Sequence, residues 1–173
     1  MRQRAASVLL WLGLSYGCAD GQPFAGPTPL PDGQQFVTAI YPMLLRDCAF
    51  VACHGGPERF FQVYGPGRVR LDPQTLPGDP PTLAETLHSY ERARSMLTSA
   101  DEVTASLLIS KPLESNAGGQ GHKGVDDFGR NIFASTNDAS YKQLLAWAKS
   151  NGAPPTAAQL EAAFQAASAG AAP

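Results

Sequence analysis

Cys48-Ala49-Phe50-Val51-Ala52-Cys53-His54-Gly55-Gly56 is the stretch on which the interpretation of this 173-residue chain depends. It contains two thiols and, directly after the second one, an imidazole. A disulfide would explain the two cysteines but would leave the adjacent histidine without a purpose. The stretch therefore predicts a site that uses two sulfur atoms and one imidazole nitrogen together, and we expect the fold to form around it.

The spacing C-x-x-x-x-C-H is a lengthened form of C-x-x-C-H, the signature of covalent haem attachment. In that signature both thiols bond to the porphyrin and the histidine ligates the iron. The four-residue spacer leaves open whether both cysteines, one or neither are joined to haem. A Cys48–Cys53 disulfide is one alternative, because thiols of exported proteins tend to pair. A zinc site is another, formed by Cys48, Cys53, His54 and either His88 or His122.

The first 17 residues predict export as a signal peptide. Two arginines precede an apolar run over residues 5–14, which is too short to span a membrane. Leu14-Ser15-Tyr16-Gly17-Cys18 resembles a bacterial lipobox, and this predicts lipidation of Cys18 and a membrane-anchored, periplasmic lipoprotein. A cut after Ala19 by ordinary signal peptidase is the alternative, and it would release a soluble exported protein.

Charge and motif content exclude several function classes. The chain has 13 Lys and Arg against 15 Asp and Glu; without the two arginines of the signal peptide, eleven basic residues remain against 15, a net charge of −4. Because it has no basic patch, nucleic acid is not an expected partner. The sequence contains no G-x-S-x-G, H-E-x-x-H or P-loop motif, so a hydrolytic enzyme has little support.

The residue pattern predicts one domain between two peripheral segments. Residues 18–34 are rich in Pro and Gly and predict a semi-extended tether. Residues 35–152 carry the helical periodicity of the domain, while 17 glycines and 15 prolines in the whole chain predict long irregular loops. The Ala-rich residues 153–173 predict a C-terminal tail with a peripheral helix.

Local signals place the helices of the domain. Apolar spacing predicts a first helix over residues 35–48, which Pro42 either kinks or divides in two. Thr82 and Glu85 form a capping box for a helix over residues 83–97. Further helix signals are an Asp101 or Thr104 cap before a short helix ended by Lys111-Pro112, and an N-cap cluster at residues 135–138 before a helix with an Asn151-Gly152 C-cap. Residues 60–64 and 68–71 are candidate strands of a small β-hairpin.

A glycine-rich loop contains the candidate second iron ligand. His122 lies between glycines, which let a backbone approach a flat cofactor closely. Since a proximal His54 needs a ligand on the other side of the metal, we expect His122 to take that position, unless it is an incidental surface histidine. Met96 is the alternative sixth ligand, although a helical methionine is often core packing. We expect Glu114, in the same region, to be a solvated loop charge.

Four separated stretches together carry a resemblance to a known family. They resemble the cytochrome c-like domains of exported bacterial proteins, including planctomycete-type cytochrome domains, over about residues 38–152. In those domains an S-x-L-x-x-K-P segment and a glycine-flanked histidine follow the haem motif, and a helix ending in Leu-x-x-Trp comes last. The four stretches here are residues 41–56, Ser106-Leu107-Leu108-Ile109-Ser110-Lys111-Pro112-Leu113, Gly121-His122-Lys123-Gly124 and Tyr141-Lys142-Gln143-Leu144-Leu145-Ala146-Trp147.

The resemblance implies a mainly α, class I-like cytochrome c fold with one covalently bound haem c. It implies that Cys48 and Cys53 hold the haem, that His54 is the proximal iron ligand and that His122 is the distal one. The implied function is periplasmic electron transfer between redox protein partners, without catalysis. The competing interpretation is a cofactor-free interaction lipoprotein stabilised by a Cys48–Cys53 disulfide.

Overall fold

The computed structural model of the protein describes residues 28–98, 100–122 and 131–170. The predicted signal peptide, the predicted lipidation site Cys18 and most of the predicted tether lie outside these ranges. Within them the chain is mainly α-helical, and β pairing is limited to one parallel bridge between Leu113 and Phe133. This confirms the predicted fold class, mainly α. No helix in the described part of the chain is both long and apolar enough to cross a membrane.

The N-terminal helical stretch runs directly into the cysteine pair. It consists of α1 (Gly33–Gln35), a π-helical turn (Phe36–Ile40) and α2 (Tyr41–Asp47). The Asp32 carboxylate accepts a hydrogen bond from the Gln35 amide at 2.6 Å and so caps the start. Pro42 lies in the first turn of α2, where a helix needs no amide donor. The predicted helix over residues 35–48 is confirmed, with Pro42 opening its second part.

The middle and C-terminal helices follow mostly local capping signals. Helix α3 (Leu83–Ser95) begins with the predicted capping box of Thr82 and Glu85. A 3₁₀ turn (Ala100–Ala105) precedes α4 (Leu107–Ser110), and a second 3₁₀ turn (Ser115–Ala117) follows it. Asp138 caps α5 (Ala139–Ala148) as expected, and α6 (Ala157–Gly170) comes last.

Two predicted caps are wrong. The N-cap of α4 is Ser106 and neither Asp101 nor Thr104. Helix α5 ends at Ala148, before the predicted Asn151-Gly152 cap. The Gly152 amide instead donates to the Leu30 carbonyl at 2.8 Å, so this turn joins the C-terminal part of the chain to its N-terminal part.

Three aromatic rings join the N-terminal helical stretch, α3 and α5. Phe36 lies 5.2 Å from Tyr90 and 5.4 Å from Trp147, measured between ring centroids, and all three side chains are fully buried. The polar atoms of the two larger rings are satisfied, because Trp147 Nε1 donates to the Asp32 carbonyl at 2.9 Å and the Tyr90 hydroxyl donates to the Pro31 carbonyl at 2.8 Å. This cluster fixes how α5 packs against the helix that ends at the cysteine pair.

Both segments predicted to be peripheral contribute to the folded domain. Pro29, Pro31 and Gly33 are buried, and the Pro29 carbonyl accepts a hydrogen bond from Arg94 at 3.0 Å. This end of the predicted tether, residues 18–34, therefore packs against α3. The C-terminal helix α6 also packs against α3 and buries Leu160, so it is not a peripheral helix.

The predicted β-hairpin over residues 60–64 and 68–71 is wrong. Its two segments do not pair with each other as strands; each one is bonded to the loop after the cysteine pair. The Val63 amide donates to the His54 carbonyl at 2.9 Å, and the Val69 amide donates to the Gly55 carbonyl at 2.7 Å. The long irregular region therefore supports the loop that contains His54.

Candidate functional site

A cavity of about 300 Å³ brings the predicted site residues together. This volume is at the lower end of the range for ligand pockets in proteins. The cavity is lined by every candidate haem ligand and attachment residue that the sequence assigned within the described part of the chain, namely Cys48, Cys53, His54, Met96 and His122. These residues come from the end of α2, the loop after it, the end of α3 and the loop after α4.

The remaining wall of the cavity is largely apolar. Leu44, Phe61, Leu108 and Leu144 line its inner part. Phe60 also lines it, yet 76% of that side chain is exposed, so the cavity opens to solvent on this side. Lys111 and Pro112 lie on the wall as well. An apolar pocket with a few converging polar atoms suits a flat organic cofactor.

The four-residue spacer folds into a tight turn between the two cysteines. The Cys53 amide donates to the Phe50 carbonyl at 2.8 Å, and the His54 amide donates to the Cys48 carbonyl at 3.1 Å. Phe50 and Val51 project outward, with 54% and 63% of their surfaces exposed. The turn takes up the lengthened spacer, and both cysteines still line the cavity.

Gly55 closes this turn because no larger residue fits there. A Cβ atom on Gly55 would collide with the Ala49 carbonyl oxygen, and Ala49 is fully buried. Gly56 is confined in the same way by the Val51 carbonyl. Steric contacts within the loop thus explain why both residues after His54 are glycines.

His54 is oriented by a backbone acceptor. Its Nδ1 atom lies 2.9 Å from the Phe61 carbonyl oxygen, and its ring packs 4.8 Å from the Phe61 ring centroid. Because a carbonyl only accepts, Nδ1 carries the proton and Nε2 is the atom with a lone pair for a metal. Burial lowers the pKa of His54, and the charge of His122 acts in the same direction, while the bond to Phe61 opposes them. The neutral, metal-binding form of His54 is therefore favoured.

His122 faces His54 across the cavity. The two ring centroids are 5.8 Å apart, with 57° between the ring planes. Imidazole nitrogen binds a metal such as zinc at about 2.0–2.1 Å, so two rings that share one ion have centroids roughly 6 Å apart. The separation of these rings therefore fits a single metal ion, and the residues present fit a haem held between two histidines.

Both cysteines are free thiols and are not bonded to each other in this structure. Burial raises the pKa of Cys48 to about 12, and the nearby Asp47 adds to this shift. The uncharged thiol form of Cys48 is therefore favoured.

The candidate zinc ligands are not grouped as a metal site in the described part of the chain. Over residues 28–98, 100–122 and 131–170, no three His, Cys, Asp or Glu side chains are grouped to hold a metal ion by themselves. His88 does not line the cavity; it is exposed on α3, and its ring lies 6.2 Å from the Tyr64 ring.

Two contributors to the site were missed by sequence reasoning. The Phe61 carbonyl, which orients His54, is a backbone atom, and no side-chain pattern marks it. Glu114, expected to be a solvated loop charge, accepts a hydrogen bond from the Asn131 amide at 2.7 Å. Its partner lies 17 positions away in the sequence, so no local signal indicates the contact.

Comparisons of the chain with protein-family models, with curated proteins and with solved structures found no match.

Proposed function

We propose that this protein is a periplasmic electron-transfer protein with a class I-like cytochrome c domain, one covalent haem c and a lipid anchor at Cys18. The observation that carries the proposal is the pair His54 and His122, whose rings are 5.8 Å apart across a cavity that also exposes both thiols of the C-x-x-x-x-C-H motif. A disulfide-stabilised protein without a cofactor has no need for this convergence.

Each residue has a defined role in the proposal. Cys48 and Cys53 would hold the haem through thioether bonds, and His54 and His122 would bind the iron on its two faces. When bound, haem supplies an iron centre that accepts and releases one electron. The Phe61 carbonyl accepts the hydrogen bond of Nδ1, so Nε2 is the atom of His54 that would bind the iron.

The fold provides further support for the class I-like assignment. In class I cytochromes c an N-terminal helix runs into the haem motif and a C-terminal helix crosses it. Here α2 ends at Cys48, and α5 packs on the same helical stretch through Phe36 and Trp147. Both rings are fully buried, and they join two helices that contribute Leu44 and Leu144 to the wall of the cavity.

The apolar lining defines what the chain contributes to electron transfer. Leu44, Leu108 and Leu144 give the inner cavity an apolar wall, and an apolar environment influences the reduction potential of a bound iron centre. Two imidazole ligands favour a lower potential than a His–Met pair. We therefore propose bis-His ligation, with Met96 as the alternative sixth ligand because it lines the same cavity.

Reversible redox chemistry of the whole chain tests this function. The chain is produced with a cytochrome c maturation system, and its visible spectrum is recorded after dithionite reduction and again after ferricyanide oxidation. We expect the sharp bands of low-spin haem to appear and disappear reversibly. A Cys48→Ser/Cys53→Ser double variant is the matched control and should lose covalently bound haem. A wild-type protein without a redox-dependent spectrum would refute electron transfer.

A further inference from the structure

Glu114 organises the backbone at the start of the loop that contains His122. Its carbonyl oxygen accepts hydrogen bonds from the Ala117 amide at 3.0 Å and from the Gly119 amide at 2.9 Å. Its own amide donates to the Phe133 carbonyl at 3.0 Å. The main chain of Glu114 is thus bonded both to the loop that follows it and to the segment around Phe133.

The Glu114 carboxylate adds a second tie to that segment. Its Oε1 atom accepts from the Asn131 amide at 2.7 Å, and the Asn131 side-chain amide donates to the Leu113 carbonyl at 3.1 Å. His122 lies between residues 114 and 131 in the sequence. The carboxylate therefore joins two points of the chain that flank His122, next to the parallel bridge between Leu113 and Phe133.

The conformation of the loop explains why such a tie is needed. Gly118 and Gly121 have φ values of +91° and +74°, a region that other residues rarely adopt. Glycine-rich backbone loses much conformational entropy when it is ordered, so it holds a shape only if other contacts fix it. The Gln120 amide provides one such contact by donating to the Ser110 carbonyl at 3.0 Å. The Glu114 carboxylate provides a charge-assisted one, which is stronger than a neutral hydrogen bond.

We infer that Glu114 is a positioning residue that would hold His122 in place as an iron ligand. This inference rests on the proposed function, because His122 needs a fixed position only if it binds the iron. Glu114 does not line the cavity and acts through the loop. Its effect should therefore appear in the occupancy of the distal position and leave the attachment of haem unchanged.

Two substitutions separate this role from a general structural one. Glu114→Ala removes the acceptor of the Asn131 amide, whereas Glu114→Gln keeps a side-chain oxygen that can accept the same bond. Glu161→Ala is the control, since it removes an exposed carboxylate from α6. All three full-length variants are produced with the maturation system, and haem per chain is measured by intact mass. The ferric spin state and an imidazole titration are then recorded on the haem-loaded fraction.

We expect Glu114→Ala to contain covalent haem but to show high-spin character. It should bind added imidazole at a concentration about tenfold below that needed by the wild type, the size expected for one hydrogen bond to a charged group. Glu161→Ala should resemble the wild type, and Glu114→Gln, which keeps a neutral acceptor, should lie between the wild type and Glu114→Ala. An alanine variant with wild-type spin state and titration, or a glutamine variant as impaired as the alanine one, would overturn the inference. A wild type without haem would refute the proposed function and this role with it.

Discussion

The imidazole rings of His54 and His122 lie 5.8 Å apart, although 68 positions separate the two residues in the sequence. His54 belongs to a loop closed by Gly55, and His122 belongs to a loop tied at Glu114. Both rings line one cavity, whose wall also includes Leu44 of α2 and Leu144 of α5. The predictions below test that arrangement and its supports.

Removal of His122 should open the distal position. We expect ferric His122→Ala to become high-spin and added imidazole to restore a low-spin spectrum, because imidazole replaces the missing ring. Met96→Leu keeps an apolar side chain of similar size and should leave the spectrum and the reduction potential unchanged. If Met96→Leu changes the spin state and His122→Ala does not, Met96 is the sixth ligand and the bis-His assignment is wrong.

Each cysteine of the motif should hold haem independently, since both line the cavity. Cys48→Ser and Cys53→Ser should each retain one thioether bond, so that haem stays with the chain in intact mass spectra after denaturation. The pyridine haemochrome band of each single variant should lie between those of haem b and haem c. A single variant with the unaltered wild-type band would show that its cysteine forms no thioether bond.

Gly55 should not tolerate a side chain. Gly55→Ala places a methyl group against the Ala49 carbonyl, and the resulting overpacking should lower the free energy of unfolding by about 1–3 kcal/mol. It should also reduce haem incorporation, because the collision distorts the turn between Cys48 and Cys53. Gly78→Ala is the matched control, since a Cβ there meets nothing within 4 Å and the backbone has an ordinary φ. Equal urea-unfolding midpoints for the two variants would contradict the steric argument.

The ion pair between Arg70 and Glu85 should be a major support of the domain. The two charges are 2.7 Å apart and their side chains are 7% and 0% exposed. Removing one partner of such a pair leaves the other charge buried and unpaired. Glu85→Ala should therefore lower the free energy of unfolding by about 3–5 kcal/mol. The control is Glu91→Ala on the same helix, which breaks a more exposed pair with Arg94 and should cost at most about 1 kcal/mol. Urea unfolding at pH 7 measures the stability of both variants. Similar losses of stability would contradict the proposed importance of the Arg70–Glu85 pair.

The same pair predicts acid sensitivity. Burial alone would raise the pKa of Glu85, but hydrogen bonds from Arg70 and two backbone amides outweigh it and hold that pKa below its ordinary value of 4.5. Because the folded-state pKa is the lower one, this stabilisation is complete above pH 4.5 and is lost as pH falls through the folded-state pKa. Thermal unfolding from pH 7 to pH 2 should therefore show a steeper loss for the wild type than for Glu85→Ala. Parallel pH dependences of the two proteins would contradict this predicted acid sensitivity.

Local signals predicted much of this fold, and nonlocal contacts account for the errors. Thr82 with Glu85, and Asp138 before α5, are caps that bond within three residues, so the sequence alone reveals them. The strand prediction for residues 60–64 was wrong because this segment forms its backbone hydrogen bond with the His54 loop and not with residues 68–71. The tether prediction was wrong for its last residues, because Tyr90 and Arg94, some 60 positions away, donate hydrogen bonds to their backbone carbonyls.

In the candidate site, too, local features were predictable from the sequence and nonlocal contacts were not. Residue type and order marked Cys48, Cys53, His54 and His122, and the structure places all four on one cavity. The atoms that hold these residues were not predictable, since the Phe61 carbonyl is backbone and the Glu114–Asn131 bond spans 17 positions. Chemistry-bearing side chains can be recognised from their type, whereas their supports are set by tertiary packing.

Covalent haem in the cavity is the central claim, and intact mass measured after denaturation, together with a pyridine haemochrome spectrum, tests it most directly. For chain produced with a cytochrome c maturation system, we predict the mass of one haem added to the polypeptide and a haem c spectrum. A colourless protein about two mass units lighter than the reduced chain would contradict the account, because that loss of two hydrogens marks a Cys48–Cys53 disulfide.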